Sequence, residues 1–250
     1  MDYQNQSTPV TQFTVAESAG DVSLKKFMAN VFSYMFLALA VSALFAYLFS
    51  TNLELLRSLF VNSAGTGPNA LAYIVMFAPL GFVLLMSFGY SRLSAPVLLL
   101  LFILYSAVNG ISFSFILISF TAGSVLGCFL SAAAMFGIMA FMGYTTDKDL
   151  TSFGRIMFMG LIGIIVASLI NFFLHSSTMD YIISFIGVMV FTGLTAYDVQ
   201  KLKHIGMGME YDGAPVVEAK KRSVMGALAL YLDFINLFLF LLRLFGSRRD

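Results

Sequence analysis

Two aspartates stand inside stretches that are otherwise apolar: Asp198 in GLTAYDVQKLK and Asp233 in LYLDFINLFLFLLR. An ionisable group near the centre of a bilayer costs at least about 2.5 kcal/mol on insertion scales, which marks such residues as candidates for function. Carboxylates in that setting carry protons, ligate cations, or act as the acid and base of a hydrolytic pair. Two of them held close together in a low-dielectric site do not both ionise easily, so they titrate as a pair in two macroscopic steps. A proton then competes with a cation for the same oxygens. Calcium takes roughly 6–8 oxygen ligands, far more than two carboxylates supply. The expectation is therefore weak or transient calcium binding at Asp198 and Asp233, suited to permeation, with no structural metal site and no cofactor.

On a helical wheel Asp233, Asn236 and Arg243 fall within about 80° of one another. A polar stripe of this kind faces protein or a water-filled cavity, either as glue between helices or as the wall of an ion or proton path.

The elements that position these residues are dictated by composition. Apolar residues make up 59% of the 250 and charged ones only 11%, where a soluble domain carries about a quarter charged. The charges are clumped, and the runs 27–53, 58–91, 93–146 and 156–179 are long enough for the roughly 20 residues of a membrane-crossing helix. The run 93–146 is too long for one crossing and must turn back. Small and polar Thr121, Ala122, Gly123 and Ser124 mark the turn.

Spans are expected near 27–49, 71–90, 96–120, 123–144, 156–174, 181–203 and 224–245. The apolar runs are continuous and do not alternate, which is the pattern of helices and not of a transmembrane β-barrel. The sequence thus reads as an all-α integral membrane protein of about seven transmembrane helices, a single polytopic domain over 25–250. Residues 1–24 are polar and expected to form a mobile tail. Stretches 50–70 and 201–223 are expected to be loops.

Lys25, Lys26, Arg92, Lys148, Arg155, Lys201, Lys203, Lys220, Lys221 and Arg222 all fall on the side of the membrane that holds the N-terminus. By the positive-inside rule that side is the cytoplasm, which places the protein in the cell membrane with its N-terminus inside. Arg57, Arg243, Arg248 and Arg249 fall on the other side if the last span crosses fully. A re-entrant last segment would return the final three to the cytoplasm. If the sixth and seventh spans end near Lys203 and Val224, helical rise sets Asp198 roughly 7 Å and Asp233 roughly 13 Å below the inner surface, close enough to meet.

The segments FTGLTAYDVQKLK (191–203), ALYLDFINLFLFLLRLFG (229–246) and MGYTTDKDLTSFG (142–154) resemble the Bax inhibitor-1 family of transmembrane Bax-inhibitor-motif proteins, most closely its bacterial branch. The resemblance implies a seven-helix fold with the last helix central and wrapped by the other six. It also implies a pH-sensitive calcium leak in which Asp198 and Asp233 are the sensor and gate. Some relatives carry a basic cluster at the inner end of the second helix that latches the aspartate of the sixth. This sequence has the single Arg92 there, equally suited to be a snorkelling anchor. Asn236, Arg92 and Arg243 are the residues expected to support the pair.

Two other function classes fit the same residues. A regulatory partner of other membrane proteins, such as a membrane-bound protease, is suggested by the bacterial resemblance. An intramembrane aspartyl protease would use two such aspartates, but it carries a glycine-rich GxGD around the second, where this chain reads YLDF. The chain is expected not to be an enzyme. Cys128, the sole cysteine, excludes an intramolecular disulfide, and His175 and His204 lie near opposite ends of spans. Gly123 and Gly127 form a GxxxG spacing, expected to pack helices. Asn109 and Asn171 are read as cavity caps or interhelical hydrogen bonders. The expected partners are the bilayer, calcium or protons, and other membrane proteins. The basic residues form no patch suited to nucleic acid.

Overall fold

The computed structural model describes residues 10–62, 67–211 and 216–249, with side chains described from Leu24 and over all but positions 210 and 211 of that remainder. Eight helices follow in order: α1 (Val10–Thr51), α2 (Leu53–Phe60), α3 (Ala70–Gly89), α4 (Ala95–Ser119), α5 (Ala122–Thr145), α6 (Thr151–Leu174), α7 (Ser177–Tyr211) and α8 (Val216–Phe245). Seven of them, all but α2, contain stretches long and apolar enough to cross a bilayer. The polar segment expected as a tail falls in two parts. Residues 1–9 lie outside the described residues, and from Val10 the backbone is helical.

The α4–α5 turn lies where the small residues placed it, with Thr121 accepting a hydrogen bond from the Ser124 amide as the N-cap of α5. Both expected loops are shorter than their polarity implied. Within 50–70, Asn52 caps a helix of about two turns whose Leu56 and Phe60 are buried. Within 201–223, α7 continues to Tyr211 and α8 begins at Val216, so only 212–215, outside the described residues, separates them. Lys, Glu, Met and Ala are good helix formers. The polar composition of this stretch therefore marks where α7 and α8 leave the apolar layer, and not where they end.

The core is built around α8. Of its most apolar window 72% is buried, against 6% for α3 and α6. A helix that is apolar all round belongs inside, and α8 packs directly against α1, α4, α5 and α7. Each of those neighbours turns one face to it at three- and four-residue spacing. On α1 the face is Val31, Met35, Ala38 and Ser42; on α5 it is Cys128, Ala132, Phe136 and Ala140. Helix α3 leans on α4, and α6 on α7. Phe77, Phe88, Ile165, Phe172 and Phe173 project from these outer helices as an apolar surface facing lipid.

Two close approaches need glycine. A Cβ at Gly110 would stand 2.9 Å from Ser42 Cα, and one at Gly143 2.9 Å from Ala196 Cα. The GxxxG pair does not behave as expected, since nothing lies within 4 Å of a Cβ at Gly123 or Gly127, and so it packs no helix among the described residues.

The last helix runs the full length of the bundle. Thirty residues at about 1.5 Å each make roughly 45 Å. The chain beyond it is tied to the α4–α5 turn, where Thr121 N donates to Ser247 O at 3.0 Å and Arg249 N to Ser119 O at 2.9 Å. This far end is opposite the α7–α8 connection, so the last segment is not re-entrant.

Candidate functional site

Asp233 occupies the middle of α8, 4% exposed, and its Oδ2 is buried without a hydrogen-bond donor among the described residues. The group that faces it is the Asp198 carboxyl, within hydrogen-bonding reach on α7 and half-buried. Two carboxylates are acceptors only, whereas a carboxylic acid donates once. One proton shared by the pair therefore converts an unfavourable contact into a hydrogen bond.

Both aspartates line a crevice of about 970 Å³ bounded by α3, α4, α6, α7 and α8. Asn236, one turn beyond Asp233, lines it too, its Nδ2 bonded back to Leu232 O at 2.8 Å. Its amide oxygen thus stays free to face the crevice. Pro79 of α3 also lines it, and lacking an N–H it leaves the Val75 carbonyl without its helical donor. Asp198 has a second outlook. It also lines a cavity of about 450 Å³ toward the basic end of the bundle, together with Tyr90, Lys201 and Arg222. Asp198 is therefore the wall shared by a vestibule and a crevice, with Asp233 deeper in the protein.

A family described as "Inhibitor of apoptosis-promoting Bax1" matches residues 24–250. The chain belongs to that family. It is 44% identical over 226 residues to the inner membrane protein YbhL of Escherichia coli K12, a match covering 90% of this chain and 93% of the relative. It is also 40% identical over 230 residues to the protein RP147 of Rickettsia prowazekii, covering 92% and 93%. A membrane protein of Streptococcus pyogenes, M6_Spy0327, is 38% identical over 235 residues, covering 93% and 97%.

Within this member of the Bax1-inhibitor family the two arginines expected to support the pair lie apart from it. Arg92 is exposed on the α3–α4 turn and lines neither cavity that Asp198 lines. The cation whose charge acts on Asp198 is Lys201, on the next turn of the same helix. Arg243 sits at the far end of α8, 3.8 Å from Asp180 and over the Phe240 ring. Its place on the Asp233 stripe is real, but the stripe is long and its ends serve different neighbours.

Several contributors were not singled out from the sequence. Tyr105, Arg155, Tyr197 and Lys201 line the crevice. Tyr197 and Lys201 carried a signal, because they flank Asp198 at one and three residues on one helix. Arg155 read only as one of the positive charges on the inner side. Beside the site, Ser42 gives its single proton to Ser106 O at 2.7 Å, so at its 2.7 Å contact with Tyr231 OH the phenol is the donor. This buried network fastens α1 and α4 to α8.

A clasp closes the basic end. Tyr90 OH donates to Glu218 Oε1 at 2.6 Å, Glu218 pairs with Arg222 at 3.2 Å, and Lys221 Nζ reaches Tyr90 O at 3.2 Å. Burial, then the Glu218 carboxylate, push the Tyr90 phenol up to about 12, so it stays a donor at every physiological pH. Gln200, 3% exposed, holds the α5–α6 turn through Lys148 O at 2.7 Å and the Leu150 amide at 2.8 Å. Cys128 is buried with Sγ 3.7 Å from Leu241 O, His175 caps α6 with φ 50°, and Asn171 accepts from the Ser176 amide.

Proposed function

We propose that this protein is a proton-gated cation leak, with calcium among its ions, in which Asp198 and Asp233 are the gate and Asn236 a supporting ligand. The observation that carries this reading is the meeting of two carboxyls on consecutive helices, one of them with a buried oxygen that lacks a donor, in a crevice open beside the lipid. With one proton shared, the pair binds α7 to α8 and satisfies its own oxygens. Without that proton the like charges repel, and their oxygens turn to a cation or to water. No group of three or more His, Cys, Asp or Glu suited to a metal ion occurs among the described residues. Two carboxylates and an amide oxygen fall short of the roughly six ligands a calcium ion needs, so water completes the shell and the ion moves on. The basic end, with its Lys and Arg, lies in the cytoplasm, and the N-terminus with it.

The test is calcium flux into dye-loaded liposomes over a range of pH, for the natural protein, Asp198→Asn, Asp233→Asn and the double variant at equal incorporation. Asn keeps shape while deleting charge. Each single variant should move the pH midpoint of flux by about one unit or more. The double variant should differ from either by less than the two effects summed. Simple additivity, or natural pH dependence in both single variants, would make the aspartates structural.

A further inference from the structure

On the other side of α8 a second seam runs between α1 and α5, a groove of about 580 Å³. Its wall is built from Phe32 and Phe36 of α1, Gly137 and Phe141 of α5, and Phe234 of α8 at the back. Phe36 and Phe141 are 61% and 70% exposed, so the groove opens toward lipid. Among the described residues, only Lys25 and Tyr144 bring polar atoms to the lining beyond the backbone, and no acidic side chain does. Both belong to the basic end: Lys25 opens the apolar part of α1, and Tyr144 closes α5. Lys203 of α7 adds a second ammonium there, 5.6 Å from the centre of the Tyr144 ring. Among the described residues neither lysine takes part in a salt bridge.

We propose that this groove holds one anionic phospholipid of the bilayer, an acyl chain lying along Phe32, Gly137 and Phe234 and the phosphate held by Lys25 and Lys203. Three properties select this occupant. The wall is apolar, as a chain of methylenes requires. The open side faces lipid, so the ligand needs no path through water. The charge is confined to the rim, at the level of a headgroup, where each basic residue strengthens attraction to an anionic lipid about fivefold. Tyr144, with an apolar ring and a polar tip, is suited to that same boundary. The back wall is the residue next to Asp233, yet the inference stands apart from the gate and is read without any flux measurement.

The experiment is native mass spectrometry of the full chain, released from detergent after incubation with equal amounts of phosphatidylglycerol and phosphatidylcholine of the same acyl chains. One phosphatidylglycerol should stay bound in preference to phosphatidylcholine. Lys25→Ala and Lys203→Ala should each lower that preference about fivefold. Gly137→Leu should abolish retention of the lipid, because a Cβ there meets nothing within 4 Å, which leaves the added side chain room to enter the groove. If Gly137→Leu fails to fold, the doubly reversed variant Lys25→Glu with Lys203→Glu takes its place, and it should release phosphatidylglycerol. Equal retention of both lipids by the natural protein overturns the proposal. So does preference unchanged in the lysine variants, or a second copy of the chain on the groove in place of lipid.

Discussion

Replacing Gly143 by alanine tests whether the packing of α7 against α5 fixes the position of the aspartate pair. The new Cβ would meet the carbonyl oxygen of Ala196 and come within 2.9 Å of its carbonyl carbon and its Cα, all backbone of α7 two residues before Asp198. Carbon atoms rest about 3.5–4.0 Å apart, so α7 has to retreat by about 0.6 Å at the least. Backbone cannot swing aside as a side chain does. Overpacking of this kind costs about 1–3 kcal/mol, offset by the roughly 1 kcal/mol that alanine gains over glycine in a helix. Gly127→Ala on the same helix is the control, because a Cβ there meets nothing within 4 Å. The helix-propensity gain is common to both variants, so their stabilities should differ by about the overpacking cost alone, 1–3 kcal/mol. Denaturant unfolding in detergent micelles reads that difference. The same displacement moves Asp198 relative to Asp233, so the pH midpoint of calcium flux should shift in Gly143→Ala and stay put in Gly127→Ala. Equal stability of the two variants, together with unaltered pH dependence in both, would refute the reasoning.

Gln200→Ala should cost about 1–3 kcal/mol by leaving the half-buried Leu150 amide without its acceptor, and hydrogen exchange at that amide should quicken. Asp149 accepts from both the hydroxyl and the amide of Thr151, and these bonds hold its carboxyl below the ordinary carboxylate range. Its contribution is therefore present above the unfolded value of about 3.9 and is lost as pH falls through the lower folded one. The gap in unfolding midpoint between the natural protein and Asp149→Ala should be open at pH 7 and close below about pH 4. A reporter inserted at 212–215, between the end of α7 at Tyr211 and the start of α8 at Val216, should read cytoplasmic, whereas an extracellular reading would invert the orientation.

The seven spans were legible because the interval between charges is a direct ruler of the apolar layer, and Thr121 to Ser124 announced their turn by size and polarity. Hydropathy locates the boundary of the layer and says little about where a helix stops. That is why Lys201 to Ser223 read as a loop although most of it is helix. The aspartate pair was legible for a related reason, since a charge inside an apolar run is conspicuous. Which residues surround the pair was not. Arg92 and Arg155 carry the same charge at the same end, and only the packing of α6 on α7 brings Arg155 to the crevice while Arg92 stays on an exposed turn. Glycine was misleading for the same cause. The paired spacing of Gly123 and Gly127 is a local pattern, whereas the close approach at Gly143 depends on a backbone more than fifty positions away.

The placing of the carboxyls at a seam and not in the packed interior follows from their chemistry. A charge sealed among Phe, Leu and Met has no way to exchange its proton, and it costs several kcal/mol whenever it ionises. At the crevice that both line, Asp198 is half-buried while Asp233 is 4% exposed, so Asp198 is the more open of the two carboxyls and Asp233 lies deeper. This asymmetry arises because α3 and α6 lean on α4 and α7 and leave space beside α8. Were α3 and α6 packed as closely as α1 and α5, both aspartates would be sealed and the pair would serve only to hold α7 against α8. Substituting Leu161 by phenylalanine on the crevice wall of α6 separates these cases. A sealed pair would be indifferent to it, whereas a pair that titrates through the crevice should respond to pH more slowly after a pH jump, with its equilibrium midpoint unchanged.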